Sequence, residues 1–379
     1  MTTWYIFETL TGRILAEFEP VTGSWSARIN EPETVDVTID LSSPDEAGRD
    51  WRNLATPWKH ALAMEESGRW FGGPIQPHDY EADEARLSVT ARGIRSIFKK
   101  RYALPPAALT QPLVGSDGVP NAAMDTNLAG LDLGSIGMRI VQQACEWPAS
   151  NFPIVFPPAR KGTRVRNYTA VKFPNISDTL DSLSDVINGP DFSFGLRRKS
   201  STHLEWVFES GTEENPRLIS PEVFTWDISA EDSAGSAPTI LTDPTNMASL
   251  SWATGGKGSN EDNSVLVSRQ YDPALIDAGM PLLETLDTSR TSVSEQETLD
   301  GWAAEPLRTG KTPAQFWAFK ASLLLPPFLS EYRIGDMCEI VLQDDLFIPD
   351  GIYRRRIVEM SGDEAGEWVT ITCGEAYDG

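Results

Sequence analysis

The stretch from Tyr332 to Gly374 limits the fold more than any other. It opens on Tyr332-Arg333-Ile334-Gly335-Asp336 and continues as an alternating run. Gly351-Ile352-Tyr353-Arg354-Arg355-Arg356-Ile357-Val358 follows, then a polar connection from Ser361 to Gly366, then Trp368-Val369-Thr370-Ile371-Thr372-Cys373-Gly374. Side chains alternate between the two faces of a strand, so Cys338, Ile340 and Leu342 share one face and Glu339 takes the other. Val369, Ile371 and Cys373 repeat this against Thr370 and Thr372. Asp350-Gly351 is a hairpin signal. Three antiparallel strands are predicted.

A similar passage lies near the start. His60 to Met64 is apolar, Gly72-Gly73-Pro74-Ile75 follows a turn, and an acidic turn from Asp79 to Glu84 leads into Leu87-Ser88-Val89-Thr90-Ala91-Arg92-Gly93. Each passage ends as strand, acidic turn, strand, closing on Val-Thr and then Gly. The pair reads as a distant internal duplication of a small β-barrel, against the blander view that any two antiparallel meanders look alike.

The chain has 379 residues, enough for two or three domains. No apolar run approaches the length of a membrane helix. Met1-Thr2-Thr3-Trp4 opens no basic-then-apolar leader, so no signal peptide is expected. Cys145, Cys338 and Cys373 are odd in number and far apart, which fits reduced thiols rather than a disulfide framework. The net charge of -23 argues against nucleic-acid binding and suits a wall past which a polyanion slides, or simple solubility. Twelve tryptophans suggest large packing surfaces or interfaces.

In chain order, Trp4 to Phe18 reads as two strands around Thr11-Gly12, and Ser24 to Asn30 as another. Thr34 to Leu41 is the cleanest strand, with its apolar residues on one face. Trp51 to Trp58 is a loop or short helix, and Ile94, Ile97 and Phe98 mark a helix leaving the first barrel. Tyr102 to Gly134 is expected to be a long loop or arm. Ser135 and Ser177 are expected to cap two helices. Phe152 to Phe156 reads as a strand, Arg160 to Arg166 as a basic turn, and Phe192–Leu196 with Leu204–Phe208 as a hairpin. Glu231 to Pro238 is a candidate linker. Beyond it, two strands flank Thr254 to Ser259. A capping box at Ser292-Val293-Ser294-Glu295 opens a helix with Leu299, Trp302 and Ala303 inward, which Pro306 should end. Ala314 to Leu325 reads as a long strand covered on both faces. The fold class expected is mainly β with an α+β insert. Its parts are a first barrel over 1–101, a middle domain with a long arm over 102–236, and a second barrel over 237–379.

No constellation for chemistry emerges. Gly255-Gly256-Lys257-Gly258-Ser259 lacks the spacing of a phosphate loop. His60, His78 and His203 are scattered and no Cys-x-x-Cys exists, so no metal site is expected. Cys145 has no activating motif to pair it with His203, and carboxylate pairs among 55 acidic residues carry no weight. Hence no catalytic, cofactor-binding or metal residues, no cofactor and no enzyme are expected. The runs Lys99-Lys100-Arg101, Arg197-Arg198-Lys199 and Arg354-Arg355-Arg356 are expected to meet acidic surfaces across subunits.

Taken together, the strand before Gly255-Gly256-Lys257-Gly258, the helix from Glu295, the long strand, Tyr332-x-x-Gly335-Asp336 and the closing Arg356-Ile357-Val358-Glu359 strand resemble the hub proteins at the tail tip of long-tailed bacteriophages. The unit from Ser177 to Phe208 resembles their middle domain. The resemblance covers most of the chain, with Pro306 and the 102–134 arm as departures. It implies two tail-tube-like β-barrel domains per chain. It also implies a homotrimer whose barrels make a six-fold-like ring between the hexameric tail and a three-fold tip. The implied partners are the distal tail or tail tube ring, the tape measure protein and other tip or fibre proteins. Genomic DNA would pass the lumen without specific binding, and the host membrane would not be bound directly. The location implied is the virion tail tip. Rival readings are a carbohydrate-binding receptor module and a tail-associated peptidoglycan hydrolase.

Overall fold

The alternation read between Thr34 and Leu41 is realised in the computed structural model, where Val35, Val37 and Ile39 are buried and the residues between them face outward. The structure describes residues 2–186, 188–257, 265–290, 296–363 and 366–375. The chain divides into two units, residues 1–237 with 319–379, and residues 238–318. The protein is mainly β, with two β-barrel domains and a middle α+β part.

The first barrel is built from β1 (Thr3–Glu8), β2 (Ile14–Phe18), β3 (Thr22–Arg28), β4 (Thr34–Asp40), α1 (Trp51–Leu54), β5 (His60–Glu66), β6 (Arg69–Glu81) and β7 (Arg86–Arg92), with α2 (Arg95–Phe98) leaving it. Its strand order is β3-β4-β7-β6-β5-β1-β2, antiparallel throughout. Trp25 stacks on Phe71 with ring centroids 3.8 Å apart, and Gly23 leaves room for the Trp4 ring. Burying a large apolar side chain of this kind contributes about 1.5–3 kcal/mol.

The middle part holds β8 (Thr126–Leu131), α3 (Leu133–Cys145), β9 (Ile154–Val155), β10 (Arg164–Tyr168), α4 (Ile176–Ser184), β11 (Phe192–Ser200), β12 (His203–Ser210) and β13 (Val223–Asp227). Ile136, Ile140 and Val141 of α3 and Leu180 and Leu183 of α4 share one core with Phe192 and Phe208. The caps differ from expectation. Asp132, not Ser135, opens α3 by accepting from the Ser135 N–H at 2.7 Å. Asn175, not Ser177, opens α4 by accepting from the Ser177 and Asp178 N–H groups. Both serines are buried one turn inside, and the stronger acceptors three or two residues upstream take the capping role. The expected arm is partly ordered structure, since Thr126–Leu131 pairs antiparallel with Arg164–Tyr168. Its small, uncharged composition hid a strand that gains its partner only in three dimensions.

The unit 238–318 contains β14 (Thr239–Asp243), β15 (Leu250–Lys257), β16 (Val265–Tyr271), α5 (Ala274–Asp277), β17 (Glu284–Arg290), α6 (Gln296–Thr309) and most of β18 (Ala314–Ser322). β16, β15 and β17 form a three-stranded sheet, and Leu299 and Ala303 of α6 pack with Ala253 of β15. The expected capping box at 292–295, and Gly258 with Ser259, lie outside the described residues. Pro306 does not end α6, which runs on to Thr309. A proline here removes one intrahelical donor, yet the last turn persists, with the Gly310 N–H bonded to the Pro306 carbonyl at 2.8 Å. Trp302 is half-buried rather than inward. β18 ends at Ser322; its Trp317, Phe319, Ala321 face is buried, and on the other face Phe316 and Ala318 are half-buried and Lys320 is exposed. Ser322 donates its N–H to the Ala234 carbonyl, and the chain turns away beyond it.

The second barrel closes with β19 (Met337–Leu342), β20 (Gly351–Asp363) and β21 (Trp368–Glu375). β13 adds to β19 in parallel. This meander repeats β5-β6-β7 closely. β6 and β20 are both 13 residues long, and each is followed by a four-residue connection to the next strand. The Trp58 N–H reaches the Ile75 carbonyl at 2.8 Å, and the Gly335 N–H reaches the Ile357 carbonyl at 2.8 Å. Trp58 and Gly335 each stand two residues before their strand, β5 or β19, and each has a positive φ. The main departure is the β19–β20 loop, which is longer than the two-residue β5–β6 turn.

Candidate functional site

The two barrels are fused by one ladder. The far half of β20 pairs antiparallel with β3, Glu359 opposite Arg28 and Asp363 opposite Ser24. Residues directly opposite in antiparallel strands share a face. The shared face therefore runs unbroken from β21 through β20, β3 and β4 to β7. It carries Thr370 and Thr372, then Glu359, Ser361 and Asp363, then Ser24 and Ser26, then Asp36 and Thr38, then Ser88 and Thr90. Arg28, Arg92 and Arg86 lie on it beside Thr34 and Asp40, and Trp368, 41% exposed, stands on it at the start of β21. The opposite face holds Val369, Ile371, Met360, Trp25, Ala27, Val35, Val37, Leu87 and Val89, all buried. Within the polar face, the Thr90 hydroxyl donates to Asp36, and the Thr38 and Ser88 hydroxyls meet at 3.3 Å.

Beside this ladder the barrels are locked by arginines. Arg69, just past the β5–β6 turn, donates to the Leu329 carbonyl at 3.0 Å and the Tyr332 carbonyl at 2.6 Å. The segment it grips, Leu329 to Asp336, leads into β19. Asp336 is fully buried and accepts from the Ser220 N–H at 2.7 Å and the Arg333 N–H at 2.9 Å. Arg333 pairs with Glu209 of the middle part at 3.0 Å. Arg356 pairs with Asp191 of the middle part and donates to the Gly335 carbonyl at 2.9 Å. Arg95 ties the first barrel to the middle part through Asp181 and the Ser177 carbonyl. A cavity of about 310 Å³ remains at this junction, with Glu33, Arg69, Asp191, Glu209 and Arg333 in its wall. The Glu33 carboxylate accepts from the Gly72 N–H at 3.2 Å, and burial pushes its pKa up to about 8.

Tyr332, Gly335 and Asp336, singled out in the sequence, are thus brought together here. Arg69, Arg95 and Asp191 were missed, because a lone arginine or aspartate gives no local pattern. Several members of the basic runs have partners inside the chain, while Lys99, Lys100 and Arg354 are exposed. Arg197 and Lys199 pair with Glu205, and Arg198 lies over the Tyr5 and Trp70 rings at 5.5 and 5.6 Å. Arg101 donates to Ser150 and to the Ala144 carbonyl.

The residues weighed for chemistry have structural surroundings. Cys145 is half-buried, and desolvation pushes its pKa up to about 11, the reverse of an activated thiol. The His203 Nδ1 meets the Thr202 hydroxyl at 2.9 Å, and the His60 Nδ1 meets the Asn53 carbonyl at 2.9 Å. His78 is exposed on β6. Among the described residues, no group of three His, Cys, Asp or Glu could hold a metal ion. No described helix is long and apolar enough to cross a membrane.

Solved structures share the fold over nearly the whole chain. The 43 kDa tail protein of prophage MuSo2 from Shewanella oneidensis matches with a TM-score of 0.56 at 9% identity, covering 98% of each chain. The chain has the fold of a phage tail protein. A tail protein from Neisseria meningitidis matches with a TM-score of 0.52 at 12% identity, over 98% of this chain and 96% of that one. A chain of the Francisella PdpA-VgrG complex matches with a TM-score of 0.51 at 9% identity, over 98% of this chain and 52% of that one. No family model and no curated protein matches the sequence. At these identities the tail-protein fold is held by burial pattern and topology rather than by shared residues.

Proposed function

We propose that the protein is a structural, non-enzymatic component of a phage tail, a trimeric hub at the tail tip. Three chains contribute two similar barrels each, so a three-fold assembly presents a six-fold-like ring to a hexameric tail. The observation that carries this reading is the polar face that crosses from one barrel to the other through the β3–β20 ladder. Hydroxyls dominate this face, and Asp36, Asp40, Glu359 and Asp363 offset Arg28, Arg86 and Arg92, so a polar surface without a basic excess suits the wall of a channel past which DNA slides without being held. The net charge of -23 points the same way.

The rest of the reading follows from position. The neighbours would be the tail tube or distal tail ring above, the end of the tape measure protein, and tip or fibre proteins below. In this reading the first barrel, middle part and second barrel correspond to residues 1–101, 102–236 and 237–379. β13 crosses over to the second barrel, and the 238–318 unit is an insertion in it. A glycan-binding groove is less well supported, since of twelve tryptophans only Trp58 and Trp368 reach 41% exposure.

Light scattering on the purified protein, alone and with the tail ring component, tests the assembly. A trimer, or three chains per ring, is expected. A chain that stays monomeric and ignores the ring overturns the hub reading. Lysines at Asp36 and Asp363 test the channel. They should slow DNA passage from assembled particles without changing copy number, and unaltered passage would remove the polar face from the lumen.

A further inference from the structure

We infer that the β19–β20 loop of one copy docks, through Leu346 and Phe347, into a pocket beside Trp58 on the first barrel of a second copy. This rests on the trimer reading above. Both surfaces are unoccupied among the described residues. Leu346 is 106% exposed and Phe347 85% exposed, although the loop is ordered by its own hydrogen bonds. The Asp345 carboxylate accepts from the Phe347 and Ile348 N–H groups at 2.8 Å each, and Asp350 accepts from the Asp344 N–H at 2.9 Å. A loop held in shape while presenting two large apolar side chains has the features of a preformed contact rather than a slack connection.

The internal repeat says where that contact goes. Inside the chain, the β5–β6 turn of the first barrel rests on the segment that leads into β19 of the second. Gly68 faces the Ser330 side chain, and Arg69 bonds the Leu329 and Tyr332 carbonyls. The β19–β20 loop stands where the β5–β6 turn stands. The segment through Trp58 stands where the segment through Gly335 stands, as their matching bonds to Ile75 and Ile357 show. Applying the same contact from the second barrel of one chain to the first barrel of the next places the loop on the Trp58 segment.

That segment has room and matching chemistry. A pocket of about 710 Å³ opens there, lined by Leu10, Trp58, Ile97 and Phe152, with Glu8, Lys59 and Arg101 among its polar groups. The loop brings Leu346 and Phe347 flanked by Asp344, Asp345 and Asp350. Apolar tip meets apolar floor, and the loop's three carboxylates meet Lys59 and Arg101, while Glu8 of the same wall is already paired with Arg13 at 2.6 Å. The contact joins different patches on the two copies, so it is heterologous and closes a ring when its rotation allows.

The test uses the full chain in two forms. Mixing Phe347→Cys and Leu10→Cys chains under mild oxidation should give a disulfide between copies. Leu346→Asp with Phe347→Asp should raise the trimer dissociation constant at least tenfold while leaving the thermal midpoint of the dissociated chain unchanged, because both side chains are solvent-exposed in the single chain. A trimer that tolerates the double variant and gives no cross-link overturns the docking and leaves the trimer standing. A double variant that stays trimeric but no longer binds the tail ring component reassigns the loop to another protein and also overturns it. A wild-type chain that is monomeric with and without the ring component removes both readings.

Discussion

Arg356 on β20 and Asp191 before β11 form an ion pair in which the carboxylate is 1% exposed. The two residues join the second barrel to the middle part. Asp191 also accepts from the Leu218 N–H at 2.9 Å, and Arg356 also donates to the Gly335 carbonyl. Removing one partner of such a pair strands the other charge in a poorly solvated site. Asp191→Ala should therefore cost about 3–5 kcal/mol in urea unfolding, and Arg217→Ala, whose partner distance to Asp191 is 3.5 Å at a half-exposed position, far less.

Glu33 makes a separate prediction about pH. Burial raises its folded pKa to about 8 from the ordinary 4.5. Between those values the folded state holds a proton that the unfolded state has lost, so stability falls as pH rises through this window. It is full below the unfolded value and gone above about 8. Glu33→Gln, neutral at every pH, should flatten the wild-type decline in thermal midpoint from pH 5 to 8. An unchanged slope would place the titration elsewhere.

Gly335 has a positive φ of 97°, and a Cβ there would meet the Leu218 carbonyl oxygen at 2.4 Å. Gly335→Ala should lose about 1–3 kcal/mol from backbone strain and more from the clash. Gly48, with φ of 88° and open space around it, supplies the control. Gly48→Ala should show only the backbone cost of about 1–2 kcal/mol, so the difference between the two isolates the close approach to Leu218.

The Cys338 and Cys373 sulfurs lie 3.4 Å apart in the core. They nevertheless sit on β19 and β21, which flank β20 on opposite sides. Two strand spacings separate such positions by roughly 9–10 Å, beyond the Cα range of about 4.4–6.8 Å that a disulfide spans. The native protein should keep both thiols free after treatment with diamide, with the masses of 338- and 373-containing peptides unchanged. The hydrogen bond to Cys338 and burial also raise the Cys373 pKa, so alkylation should require unfolding.

Strands with one buried face were legible in the sequence. Val35-Asp36-Val37 and Val369-Thr370-Ile371 carry their period in the residues themselves. The similarity of the two meanders was legible too, but its register was not. Sequence alignment sets Val89 against Val369, whereas the strand positions set Leu87 against Val369 and Val89 against Ile371. The Val-Thr pair is common on half-buried strands, and the true register is fixed by the bonds of Trp58 and Gly335, which leave no mark in composition. The junction was least legible. Arg69, Asp191 and Arg356 are far apart in sequence, and nothing near any of them names its partner.

The β3–β20 ladder joins residues more than three hundred positions apart. At about 5–20 residues per second, β3 would leave the ribosome tens of seconds before the strand that covers its edge. During that interval the edge is a template for any extended chain nearby. Thr22, Ser24 and Ser26 on β3 lower its tendency to aggregate while it waits, so the polar face also protects the nascent chain.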